Sequence, residues 1–142
     1  MGDRSLSREL ALKVLYQMEH GDQDAEAALT VFAENFAAPE KLFAYTRQLV
    51  LGVEQNRRRI DEMLNRVSRK WRVERMSWVD RNILRLACYE IYLAPQPVPP
   101  KAAISEALDL SKRYAEDCSC SFINGVLDSL INAKPAAGAP AG

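Results

Sequence analysis

SWVDRNILRLACYEIY, residues 77–92, is the stretch that decides the fold. Its apolar side chains, Trp78, Ile83, Leu84, Leu86, Ala87 and Ile91, recur at helical spacing. That period specifies a helix buried over much of its surface. Asp80, Arg81, Arg85 and Glu90 stand between them. Ser77 followed by Asp80 reads as a capping box, with Asp in place of the usual Glu or Gln. The spacing thus predicts a central helix with an acid and two guanidiniums to present. None of this is reaction chemistry, so the pattern asks what the helix binds.

The flanking segments carry the same period. A first helix is expected over about 5–19, with Leu6, Leu10, Val14, Ala11, Leu15 and Met18 forming one apolar stripe. His20-Gly21-Asp22 ends it, with Gly as breaker and Asp as the next cap. A second helix follows over about 24–37, turning Leu29, Phe32, Ala33 and Phe36 inward. Pro39 suits the first turn of a third, which can run through Leu42, Tyr45, Leu49, Val53, Ile60, Leu64 and Val67. Gly52 marks close packing or a bend within it. A linker over 69–76, with one helical turn near Trp71, leads to the central helix. The proline-rich 94–100 is a stiff extended connector. Helices over 101–114 and 122–131 enclose a polar loop. No segment alternates as a strand does. The expectation is an all-α bundle of about six to seven helices in one domain, 1–132. Its two packed halves are roughly 1–70 and 71–132, followed by a disordered tail at 133–142.

The 142 residues carry no net formal charge, but the charges are segregated. Between Glu19 and Glu40 there are acids and no Lys or Arg, whereas Arg57 to Arg85 is dominated by bases. Such asymmetry points to a polyanionic partner on one side. Cys88, Cys118 and Cys120 make neither a disulfide framework nor a zinc pattern. MGDRSLSREL has no apolar run after its charges and no window is long enough to span a bilayer, so a reducing cytoplasm is expected. There is no phosphate loop and no nucleophile elbow. The one histidine, His20, sits at a helix end, where it serves carbonyls more readily than catalysis. An enzyme is not expected, nor a cofactor or metal.

Two places suit nucleic acid. Arg4 and Arg8 lie four apart at the start of the first helix, with Lys13 and Tyr16 further along. Cations and a ring on one edge offer phosphate neutralisation and a stacking platform. Equally, Tyr16 can be half-buried while the arginines pair with Asp3 and Glu9. In CSCSFINGVLD, residues 118–128, a polar loop delivers Phe122 to a helix start, where backbone amides attract phosphate. Phe122 then stacks on a base and Asn124 hydrogen-bonds one, unless Phe122 packs inward and Asn124 ties local backbone. Asp80 pairs with a basic protein partner, caps its own helix, or does both.

Four segments together resemble the NusB family of bacterial transcription antitermination factors: SRELALKVLYQ, VDRNILRLACYEI, VPPKAAISEALDLSKRY and FINGVLD. They stand in the family's order and nearly at its spacing. The resemblance implies an all-helical fold in two halves and binding of boxA-type single-stranded RNA in ribosomal transcripts. It implies partnership with a small-subunit ribosomal protein, NusE, within an RNA polymerase elongation complex containing NusA and NusG. It maps RNA contacts onto Arg4, Arg8, Tyr16, Asp117, Ser121 and Phe122, and partner contacts onto Asp80 with Arg81 and Arg85. This chain departs from many members in having only Arg4 and Arg8 in a basic amino terminus, and Ser121 rather than a base before Phe122. The rival reading is a structural, self-associating helical adaptor without RNA binding. A homodimer of the free protein is compatible with either.

Overall fold

The computed structural model describes residues 2–21, 23–36 and 39–133. Asp22, expected as a cap, and the tail from residue 134 lie outside them. Seven α-helices follow one another among the described residues: α1 (Asp3–His20), α2 (Ala25–Asn35), α3 (Glu40–Gln55), α4 (Arg57–Val67), α5 (Trp78–Cys88), α6 (Pro100–Tyr114) and α7 (Ser119–Asn132). A 3-10 turn at Val73–Arg75 precedes α5, and a π-helical segment, Tyr89–Leu93, continues it. The all-helical expectation therefore holds, with seven helices.

The long third helix is two helices. Asn56 explains the break: its backbone N–H and its Nδ2 both donate to the Gly52 carbonyl, at 3.1 and 2.8 Å. A side-chain amide that takes over a helix carbonyl loosens the regular ladder. The helical turn expected near Trp71 lies instead at Val73–Arg75. α7 starts at Ser119, so Ser119 to Ser121 belong to its first turn, not to a loop. Asp24 caps α2 by accepting from the Ala27 N–H at 2.8 Å. Ser77 caps α5, accepting from the Asp80 N–H at 3.2 Å. Pro100 opens α6, where its missing N–H costs nothing.

α5 is the axis of the molecule, packed against α1, α4, α6 and α7. α1 lies along α3, while α4 packs on α5 and α7. A single apolar cluster draws on every helix, from Ala11 and Leu15 through Leu49, Ile60, Ile83 and Leu84 to Ile123 and Leu127. Gly52 is a point of close approach rather than a bend. A Cβ there would overlap the ring of Tyr89, so α3 and the π segment meet only because residue 52 has no side chain.

Candidate nucleic-acid interface

α1 sorts its polar residues between interior and surface. Arg8 is only 6% exposed. Its Nε donates to both carboxylate oxygens of Glu90, at 2.8 and 2.9 Å, and Glu106 lies 3.5 Å from Nη1. Tyr45 on α3 donates to the same Glu90 at 2.5 Å. Burial alone works against the Arg8 charge, but the Glu90 carboxylate more than offsets it and holds the guanidinium above its ordinary range. Burial and then the bond to Glu90 push the Tyr45 phenol up to about 12. Arg8 is thus an interior tie between α1 and the π segment, not half of an exposed pair. Arg4 is exposed, and its guanidinium stacks on the Tyr45 ring at 4.1 Å. The alternative pairing of these arginines with Asp3 and Glu9 is not formed among the described residues. Glu9 instead takes Arg113 at 2.9 Å and the Tyr114 hydroxyl.

Further along α1 the outer face is open. Lys13 is exposed, with Nζ 6.0 Å from the centre of the Tyr114 ring. Tyr16 is 41% exposed. Its ring lies 4.1 Å from that of His20 and 4.2 Å from that of Trp78, between centroids. The sequence pattern places Trp78 on the apolar face of α5 and carries no mark of this three-ring cluster, which forms only where α1 and α5 pack. His20 Nδ1–H donates to the Tyr16 carbonyl at 2.9 Å, the helix-end role its position suggested.

The first turn of α5 bridges this face to α7. Trp78 meets Tyr16, and two residues on, Asp80 Oδ2 accepts from the Ser119 hydroxyl at 3.3 Å. Asp80 therefore does not close the capping box. Its Oδ1 is buried without a hydrogen-bond partner among the described residues. Arg81 is half-buried; it donates to Glu19 and to the Met76 carbonyl, the latter at 3.3 Å. Arg85 is 5% exposed and grips Asp61 of α4 at 2.8 and 3.0 Å. It ties α4 to α5, with its guanidinium turned to Asp61 rather than to the exposed surface.

Phe122 lies one turn inside α7, half-buried against the core while it also lines an open groove beside α4. The inward-packing alternative holds for the part of the ring set against the core, and the rest of the ring borders the groove. At the start of α7 the Ser119 N–H already donates to the Glu116 carbonyl at 2.9 Å. Ser121 and Asn124 are exposed on α7, and Asp117 is exposed in the turn before it. Lys13, Tyr16, Asp80 and the start of α7 are therefore brought together; Arg8 and Arg85 are not. Among the described residues no cluster of His, Cys, Asp and Glu could hold a metal, and no helix is long and apolar enough to cross a membrane.

Rings, cations and hydroxyls displayed on a continuous helical core make this an all-α binding scaffold. The chain belongs to the NusB family, whose model matches residues 5–132. Membership carries the family's role in transcription antitermination. Transcription antitermination protein NusB from Anaeromyxobacter dehalogenans is 42% identical over 135 residues, covering 94% of each chain. The structure of NusB from T. maritima superposes with a TM-score of 0.77 at 31% identity, over 89% of each chain. A crystal structure of antitermination factors NusB and NusE in complex with dsRNA matches with a TM-score of 0.78 at 26% identity, over 94% of this chain and 99% of that one.

Proposed function

We propose that the protein binds a boxA-type single-stranded RNA element of ribosomal RNA transcripts, jointly with the small-subunit ribosomal protein NusE. In this reading it enters an elongation complex of RNA polymerase, NusA and NusG in the cytoplasm. It works by holding, not by catalysing. The observation that carries the reading is the bridge made by the first turn of α5, with Trp78 on Tyr16 and Asp80 on Ser119. It makes one surface of the exposed face of α1 and the start of α7. Lys13 neutralises phosphate there, and Tyr16 and Phe122 stack bases, a combination that suits a flexible strand. Asp80 faces the protein partner. The likeness to a NusB that is bound to NusE and RNA supports both roles.

The test is a gel shift with boxA-type RNA, with and without the ribosomal protein, at two salt concentrations. Binding should strengthen with the partner and weaken steeply with salt, because phosphate contacts release counterions. RNA affinity independent of salt, or a tight homodimer by light scattering that ignores RNA, would return the protein to the adaptor reading.

A further inference from the structure

The basic stretch between Arg57 and Arg85 divides once partners are assigned. Arg57, Arg58, Arg72, Arg81 and Arg85 are held by Glu54, Glu62, Glu74, Glu19 and Asp61 respectively. Arg66, Arg69 and Lys70 are exposed and make no ion pair or hydrogen bond among the described residues. All three line the same open groove of about 870 Å³, at the end of α4 and the start of the linker. Its opposite wall is α7, with Ser121, Phe122 and Ser129. No carboxylate lines it among the described residues. The cleft between α1 and α6, by contrast, sets Glu9, Glu106 and Asp109 against Lys112 and Arg113. Trp71 follows Lys70 directly and is 52% exposed. Its carbonyl accepts from the hydroxyl of Ser68, itself a lining residue, at 2.6 Å.

Unpaired like charges set along one wall concentrate positive potential there and draw an anion to it. A flexible polyanion that brings aromatic faces satisfies both the cations and the two rings. We propose that this groove binds the RNA strand where it runs on past Phe122. Its phosphates lie against Arg66, Arg69 and Lys70, and a base stacks on Trp71. The inference rests on the RNA-binding reading above and extends its footprint from α1 and α7 to the end of α4.

Fluorescence anisotropy on the full chain with its ribosomal partner tests it, using two RNAs. One is a short boxA-type core; the other is that core extended by a run of uridines at either end. The wild type should bind an extended RNA about tenfold more tightly, as two or three added phosphate contacts allow. The triple variant Arg66→Ala, Arg69→Ala, Lys70→Ala should lose that gain and keep core affinity. Its salt slope on extended RNA should fall by about 2, at roughly 0.7 for each phosphate of a single strand. Trp71→Ala should lose part of the gain, and Trp71→Phe should keep it.

Equal affinity of the wild type for both RNAs would overturn the inference. So would a triple variant that keeps the gain, or one that loses core and extended binding alike. A triple variant that keeps the RNA gain but loses the ribosomal protein would assign the groove to protein docking instead. If neither RNA binds the wild type, it is the RNA-binding reading that has failed.

Discussion

Arg8 and Glu90 face each other inside the protein, with one guanidinium nitrogen sharing its proton between both carboxylate oxygens at 2.8 and 2.9 Å. The two residues come from α1 and from the π segment, far apart in sequence. Opposite charges withdrawn from water hold together only while both are present and hydrogen-bonded.

Arg8→Ala should therefore act on stability. Urea unfolding should show a loss of about 3–5 kcal/mol, the cost of an orphaned buried charge. Replacing both partners together, Arg8→Met with Glu90→Leu, should recover most of that. RNA affinity per folded molecule should stay near wild type; a specific loss of RNA binding at full stability would restore Arg8 to the surface site.

Alkaline pH should unfold the protein by way of two phenols. Tyr45 and Tyr114 are each pushed up to about 12, by burial first and then by hydrogen bonds to Glu90 and Glu9. The unfolded chain releases these protons near the ordinary value of 10.0. Their contribution is thus complete below pH 10 and fades as pH climbs through 12. Denaturation at stepped pH should trace that decline, and Tyr45→Phe should flatten part of it.

Gly52→Ala should destabilise by about 1–3 kcal/mol, because the new methyl collides with the Tyr89 ring. Trimming the obstacle should relieve it. In a Tyr89→Leu background the same change should cost much less, a coupling that a double-mutant cycle reads directly.

Phe122→Ala should weaken RNA binding by about 1–3 kcal/mol if the ring stacks on a base. Since Phe122 also packs on the core, Phe122→Leu is the companion variant: it keeps apolar contact without an aromatic face. Loss of RNA binding in both, with helicity intact by circular dichroism, identifies the ring itself as the contact.

Asp80→Asn should lower affinity for the ribosomal partner while leaving RNA binding by the isolated protein intact. The melting temperature should move little, because the Ser77 hydroxyl already caps α5. Arg85→Ala should do the reverse, lowering stability through the lost Asp61 bond. Calorimetric titration with the partner separates the two.

Periodicity made the helices legible, since an apolar stripe survives whatever it packs against. The break at Asn56 was not, because one side-chain amide reaching back to one carbonyl leaves no mark on the pattern. Arg4 and Arg8 looked equivalent at four-residue spacing, yet one lies outside and the other faces Glu90. The available signal was Glu90 itself, an acid in an otherwise apolar run that had to find a cation. Tyr16 and Phe122 were legible as rings at helix edges. Their neighbours Trp78 and Arg66 were not, since contact between separate helices is a property of the packing. The basic run predicted a polyanion but not which of its members were free.

The widened turn at Tyr89–Leu93 has a consequence for how the family's sequences can drift in length. A π turn holds one residue more than the α ladder on either side of it. Deleting a residue there would restore ordinary helical geometry, and swing everything after it by about a quarter-turn. Glu90 would leave Arg8, and Val98, whose N–H now meets the Glu90 carbonyl at 2.8 Å, would lose its anchor. The proline connector would then enter α6 from the wrong direction. That surplus residue works as a register peg: it is the one place in the axis where a shorter chain would still be a good helix and no longer the same protein.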